Sequence, residues 1–253
     1  MSAFAAVEEE LALWAEAGLT PRFWLRDDDA VEATAALERL IGFARRRSVP
    51  VLLAVIPARA TQALADRLAD EPLLTPCQHG IAHCNNAAAG TPSLELGGTR
   101  PAKEILADLA DARARLLELF GKRLSGILVP PWNRMAPDVA AQLHALGFTG
   151  LSTWSWQRKG TSLPELNTQI DVMDWAGGHR GRDLSWTAGE LVRRLIQARE
   201  RGGAPLGILT HHLVHDERAW ATLDELVTWL AEDRGFVFES ADDLIAAGAA
   251  MRF

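Results

Sequence analysis

The sequence predicts an α/β fold, a parallel sheet covered by helices, in one domain that spans residues 1–253. Two observations carry this reading. Short runs of strand-forming apolar residues alternate with longer helical segments, the order that builds parallel sheets through crossover helices. The runs are apolar almost continuously rather than at every second position, as strands covered on both faces must be. A length of 253 residues is enough for one α/β barrel and does not force two domains.

The elements follow in order. "MSAFAAVEEELALWAEAG" (1–18) has no basic start and no long apolar run, so it reads as an N-terminal amphipathic helix over 1–20 and not as a signal peptide. The strand candidates are "RFWLRDD" (22–28), "VPVLLAVIP" (49–57), a short segment leading into "CQHGIAHCN" (77–85), "LSGILVPP" (124–131), "FTGLSTW" (148–154) and "APLGILTHH" (204–212). The run Arg45–Arg47 ends a helix and complements its dipole. "PAKEILADLADARARLLELFG" (101–121) places Ile105, Leu109, Leu116 and Phe120 on one helical face, with Pro101 in its first turn and Gly121 at its end. A helix over 187–203 opens with Thr187 and Glu190 at capping-box spacing, and another covers 216–235. "AAAGTPSLELGGTRP" (87–101) and "QRKGTSLPELN" (157–167) are loops. In such a sheet the chemistry collects at the C-terminal strand ends.

Composition removes several function classes. The formal net charge of −7 argues against nucleic acid and anionic membranes, which need a basic face. No apolar stretch approaches membrane-spanning length, so the expected location is the cytoplasm. Two cysteines, Cys77 and Cys84, are too few for a disulfide framework and are expected to be small buried hydrophobes rather than metal ligands. There is no GxSxG, no Gly-rich phosphate loop and no HExxH, since Gly80 stands where a zincin has glutamate.

The strand ends carry the candidate chemistry. The first ends in Asp27, Asp28 and Asp29, three adjacent carboxylates that repel one another unless cations compensate. They suit a helix-capping turn or a site in the sheet's mouth. His79 and His83, four apart, suit a shared metal ion or two unrelated loop positions. "VPPWNR" and "LTHHLVHD" end two later strands. Nine tryptophans occur and no tyrosine; Trp132, Trp154, Trp156, Trp175 and Trp186 fall near strand ends or loops, where they can stack on a sugar or pack the rim.

The Asp-Asp pair, the HxxxH, "PPW" (130–132), "DVMDW" (171–175) and "LTH" (209–211), in this order over about residues 22–212, resemble the polysaccharide deacetylases, carbohydrate esterase family 4. The resemblance implies a distorted (β/α) barrel of about seven parallel strands. It implies Asp28 as catalytic base, Asp29, His79 and His83 as ligands of a divalent metal, and Pro131, Trp132 and Trp175 along the substrate groove. It implies His211 as the acid, with Asp174 as a plausible partner that fixes its tautomer. Three departures stand out: Ala30 replaces a glycine, Gly80 a serine or threonine, and Val129 the arginine that holds the base. Arg134 is expected to reach back to Asp28 in that arginine's stead; Arg26 shares a face with Asp28 but has little room beside a metal.

Two imidazoles and a carboxylate are a recurrent catalytic zinc set because they leave positions open for water and substrate. The expected activity is metal-dependent hydrolysis of an N-acetyl or similar acyl group on a sugar or small amide. The alternatives are an allantoinase-like hydrolase of small amides and a catalytically weak sugar-binding descendant. His212 is expected to support the site, His215 to begin a helix with Asp216, and His144 and His179 to lie at the surface.

Overall fold

The computed structural model of the chain describes residues 3–248; residues 1–2 and 249–253, the ends of the predicted domain, lie outside the described residues. The strands are β1 (Phe23–Ala30), β2 (Val51–Val55), β3 (Leu74–His79), β4 (Ile127–Val129), β5 (Gly150–Leu151), β6 (Thr168–Asp171), a hairpin of β7 (Met173–Asp174) and β8 (Arg180–Gly181), and β9 (Leu206–Thr210). Seven of them form one sheet in the order β5-β4-β3-β2-β1-β9-β6. Every neighbouring pair in it is parallel. The two edges approach each other through the segment after β5, where Leu166 N donates to Leu151 O at 2.9 Å and Thr168 N to Thr153 O at 3.2 Å. The sheet is therefore curled into the distorted barrel that the resemblance implies.

The helices are α1 (Ala5–Glu16), α2 (Ala35–Arg47), α3 (Gln62–Leu68), α4 (Ala102–Phe120), α5 (Pro137–Ala140), α6 (Leu184–Glu200), α7 (Glu217–Thr228) and α8 (Ala241–Ala246). The α6 helix begins one turn before the predicted start, because Asp183 rather than Thr187 caps it by accepting from Trp186 N. Asp216 caps α7 in the same way. The arginines that end α2 pair across the molecule, Arg45 with Glu71 and Arg47 with Asp224 and Glu232. Among the described residues no helix is long and apolar enough to cross a membrane.

The alternation along β1 decides what each of its residues can do, since successive side chains face opposite sides of a strand. Phe23 and Leu25 join the outer core beneath the helices, with Leu37, Leu191 and Leu223. Trp24 points inward, into a barrel interior filled by Leu52, Ala54, Cys77, Ile127 and Val129. Gly207 on β9 leaves the space for Trp24: a Cβ there would lie 2.5 Å from the indole. Arg26 and Asp28 have the parity of Trp24, and Asp27 that of Leu25.

Candidate active site and metal centre

Each of the three adjacent aspartates has its own arginine or histidine partner and its own direction. Asp27 is fully buried on the outer side of β1. It accepts from Thr210 Oγ1 at 2.7 Å, from His212 N at 2.9 Å and from the His212 ring. Burial raises its pKa, but the His212 charge and hydrogen bond more than offset this, so the carboxyl is held below its usual range and His212 is held above its own. His212 thus stands behind the cleft, bonded to Asp27.

Asp28 faces the interior beside Arg26. Arg26 Nε lies 2.9 Å from Asp28 Oδ1, and Nη2 donates to Oδ2 at 3.0 Å. The guanidinium is fully buried and donates further to Asn133 Oδ1 at 2.7 Å, Ser152 Oγ at 2.8 Å and Thr153 O at 3.1 Å. Arg134 does not reach Asp28; it is exposed and donates to Ser93 O at 3.2 Å. The expectation fails because the curled sheet brings the segment after β5 and the turn after β4 opposite Arg26, supplying the room and the acceptors that a strand end alone would lack.

Asp29 leaves the strand. The register of β1 against β2 shifts between Asp27 and Ala30, and Asp29 takes φ 75°, the left-handed region that Asp tolerates better than most residues. Because the left-handed residue is Asp29 and not the one after it, alanine fits at position 30. Asp29 Oδ1 lies 3.2 Å from His79 Nε2 and 3.4 Å from His83 Nε2, and one donor atom from each residue lies within 4.8 Å of the others. Two donors about 2.1 Å from a tetrahedral ion are about 3.4 Å apart, so this donor set fits a small divalent metal. Asp29 Oδ1 is also buried without a hydrogen bond, as a metal-facing oxygen is. His79 Nδ1 donates to Val129 O at 2.9 Å, which fixes the tautomer with Nε2 free to coordinate. Burial would raise the Asp29 pKa, yet His79 beside it holds the carboxyl well below its usual range. Burial pushes His83 down, toward the neutral form that coordinates.

The loop that carries His83 rests on Glu95, which the sequence reading passed over. Glu95 is buried and accepts from Ile81 N at 2.9 Å, Ala82 N at 2.8 Å and Cys84 N at 3.0 Å. Gly80 has φ +56°, and a Cβ there would lie 2.1 Å from Glu95 Oε2 and 2.5 Å from Pro131 Cδ. That explains the glycine. Pro131 is buried against this turn instead of lining the groove as expected. Cys77 is buried in the barrel, where burial drives its thiol well up, while Cys84 is exposed, contrary to expectation.

On the other side of the cleft stands His211, with the Trp175 ring edge-on at 4.7 Å. Asp174, the expected partner of His211, instead pairs with Arg182 at 3.0 Å and accepts from Gly177 N. The carboxylate that faces His211 is Asp171, which accepts from Trp175 Nε1 and Met173 N, both at 2.8 Å. Burial raises the Asp171 pKa, against the pull of His211. The reason for the exchange is local: β6 ends at Asp171, which points into the cleft, while Asp174 lies in the hairpin beyond. Trp132 (φ 54°) leaves the turn after β4 and packs on His83, with ring centroids 4.4 Å apart. Asp28, Asp29, His79, His83, Trp132, Trp175 and His211 all line one cleft of about 860 Å³. Trp154 and Trp186 also line it, whereas Trp156 packs on α6 through Gln197. His179 is exposed, as expected, at the cleft rim beside Trp175.

No protein-family model matches the sequence, and no curated protein does. Solved structures do. A family 4 carbohydrate esterase from Streptomyces lividans in complex with acetate superposes with TM-score 0.56 at 14% identity, over 87% of this chain and 92% of that one. A family 4 acetyl xylan esterase from Clostridium thermocellum, solved with a cobalt ion, gives 0.57 at 14%, over 91% and 93%. A peptidoglycan deacetylase mutant from Bacillus subtilis gives 0.58 at 15%, over 90% and 91%. The fold is that of the family 4 carbohydrate esterases. Within this esterase fold, the position where the resemblance expects an arginine is taken by Val129, which packs into the barrel interior. The guanidinium beside Asp28 comes from β1.

Proposed function

We propose that this chain is a metal-dependent amide hydrolase of the family 4 carbohydrate esterase type, which removes an N-acetyl or similar acyl group from a sugar or small amide. The whole of residues 1–253 serves as its one catalytic domain. The observation that carries the reading is the convergence on one cleft of an arginine-held carboxylate (Asp28), a three-donor metal set (Asp29, His79, His83) and a histidine (His211). The structures that share the fold include one solved with acetate and one with cobalt, both described as family 4 esterases.

Asp29, His79 and His83 would hold the metal, with zinc the ion the donor set suits best. A divalent ion there supplies an acidified water and a polarised acyl oxygen. Asp28, fixed by the Arg26 fork, takes the proton of the attacking water. His211 gives a proton to the departing amine from across the cleft, with the Trp175 ring against the imidazole and Asp171 fixing that ring through its Nε1. Trp132 and Trp175 present ring faces or edges to the substrate. The test is a panel of N-acetylated sugars and ureides incubated with zinc-loaded protein, read by acetate, free amine and ammonia. Metal-dependent acetate release in step with free amine supports the proposal. Turnover of ureides alone replaces it with small-amide hydrolysis, and no turnover on any member with metal bound rejects it.

A further inference from the structure

Most of the charged side chains that line the cleft have an ionic or hydrogen-bond partner, Asp171 through Trp175 and Met173. Asp28 is paired with Arg26, Asp29 faces His79 and His83, and Glu190 is paired with Arg193 and Arg194. Arg182 is held by Asp174, and Arg194 by Glu190. Two cations remain. The Arg134 guanidinium donates only to a backbone carbonyl, that of Ser93, and Lys159 Nζ only to Gln157 Oε1 at 3.1 Å. Neither makes an ion pair with a carboxylate among the described residues. Glu165, the acid beside Lys159, is buried, accepts from the Lys159 backbone N–H at 3.0 and 3.2 Å and lies 3.9 Å from Arg158 Nε.

The two cations are also neighbours. Burial first, and then the Arg134 charge, push the Lys159 ammonium below its usual pKa, with Glu165 pulling the other way. Like charges do not collect in a cleft at no cost; they repel until an anion joins them. Both residues line the main cleft and both line a second hollow of about 500 Å³, so they stand where the two meet. Arg134 follows Trp132 and Asn133 in the chain, and Trp132 packs on the metal-site residue His83. A substrate whose ring meets Trp132 therefore has this pair beside it.

We propose that Arg134 and Lys159 form an anion subsite, and that the substrate is an acidic N-acyl sugar carrying a carboxylate or phosphate rather than a neutral one. This rests on the amide-hydrolase reading for the acyl group but not for the anion. Arg offers a two-pronged donor and Lys a point charge, a combination that suits either group.

The test is calorimetric binding of N-acetylglucosamine, N-acetylglucosamine 6-phosphate and N-acetylmuramic acid to the zinc-loaded full chain, at two salt concentrations. At least one acidic sugar should bind about tenfold or more tightly than the neutral one, as two charge-assisted bonds would give. That advantage should shrink at high salt and vanish in R134Q/K159Q, whose folding is checked by its thermal midpoint. Whichever acid is preferred assigns the subsite to carboxylate or phosphate. Equal affinity for all three, binding of neither acidic sugar, or an acidic preference that survives in R134Q/K159Q overturns the proposal. An Arg134- and Lys159-dependent preference without acyl release from any sugar would keep the subsite and reject the hydrolase reading.

Discussion

Removing Arg26 should damage stability and catalysis together. In R26M the Asp28 carboxyl, 4% exposed, loses the guanidinium that pairs with it and must stay buried either as an unpaired charge or as a protonated acid. Asn133 Oδ1, Ser152 Oγ and Thr153 O lose their donor in the same step. Breaking a buried pair by deleting one partner costs about 3–5 kcal/mol. For a domain of this size that lowers the thermal midpoint by roughly 6–20 °C. Removing both charges is different: R26M/D28L leaves no stranded ion and should recover at least half of the loss. Turnover should fall about 10²–10⁴-fold in R26M, because a base left buried without its cation takes a proton and no longer accepts one. R26K, which keeps the charge without the fork, should lie between. Thermal melts of the three variants and steady-state turnover on the substrate found by the panel are the assays. An R26M protein that melts within about 2 °C of wild type, or turns over at the wild-type rate, would refute the assignment of Arg26 to Asp28.

Three further outcomes follow from the geometry. Gly80→Ser forces a side chain onto Glu95 and Pro131 at φ +56°, so it should cost about 2 kcal/mol or more in a denaturant melt and weaken metal binding through the His83 loop; wild-type stability and affinity would contradict this. Iodoacetamide should label Cys84 in the native protein and Cys77 only after unfolding, and C77A/C84S should keep its metal in full; mass spectrometry and metal analysis decide. His215 accepts from His211 N at 3.2 Å and is held down at about 4 by burial, against 6.5 for a free imidazole. The unfolded chain therefore binds more protons between pH 6.5 and 4, and the His215 contribution, whole above pH 6.5, is lost as the pH falls to about 4. Over that window wild type should lose up to about 3 kcal/mol more stability than H215Q; parallel pH profiles would show the shift to be absent.

The barrel was legible because its strands are short apolar runs set between capped helices, and Val51–Val55 and Leu206–Thr210 read as strands on composition alone. The strand Thr168–Asp171 was not, because three of its four residues are polar and its pairing leans on a side chain, Gln169 Oε1 accepting from Gly207 N at 2.7 Å. Within the site, the motifs that resemble the family 4 esterases pointed to Asp28, Asp29, His79, His83 and His211, which line one cleft. They could not say which carboxylate of "DVMD" would face His211, since that depends on where β6 ends and the hairpin begins. Nor could they show that Arg26 has acceptors across the barrel. Those come from the segment after β5, more than a hundred residues away in sequence. One clue was available: an arginine inside an apolar strand run, two residues before an aspartate, has the parity to share its face. Glu95 gave no such sign, being one acid in a polar loop.

The central claim is that Asp29, His79 and His83 hold one divalent metal that makes this cleft hydrolytic. Elemental analysis of protein purified without chelator, beside H79A/H83A prepared identically, addresses it most directly. The account predicts about one divalent ion per chain in wild type and none in the variant. Full occupancy in H79A/H83A would contradict it.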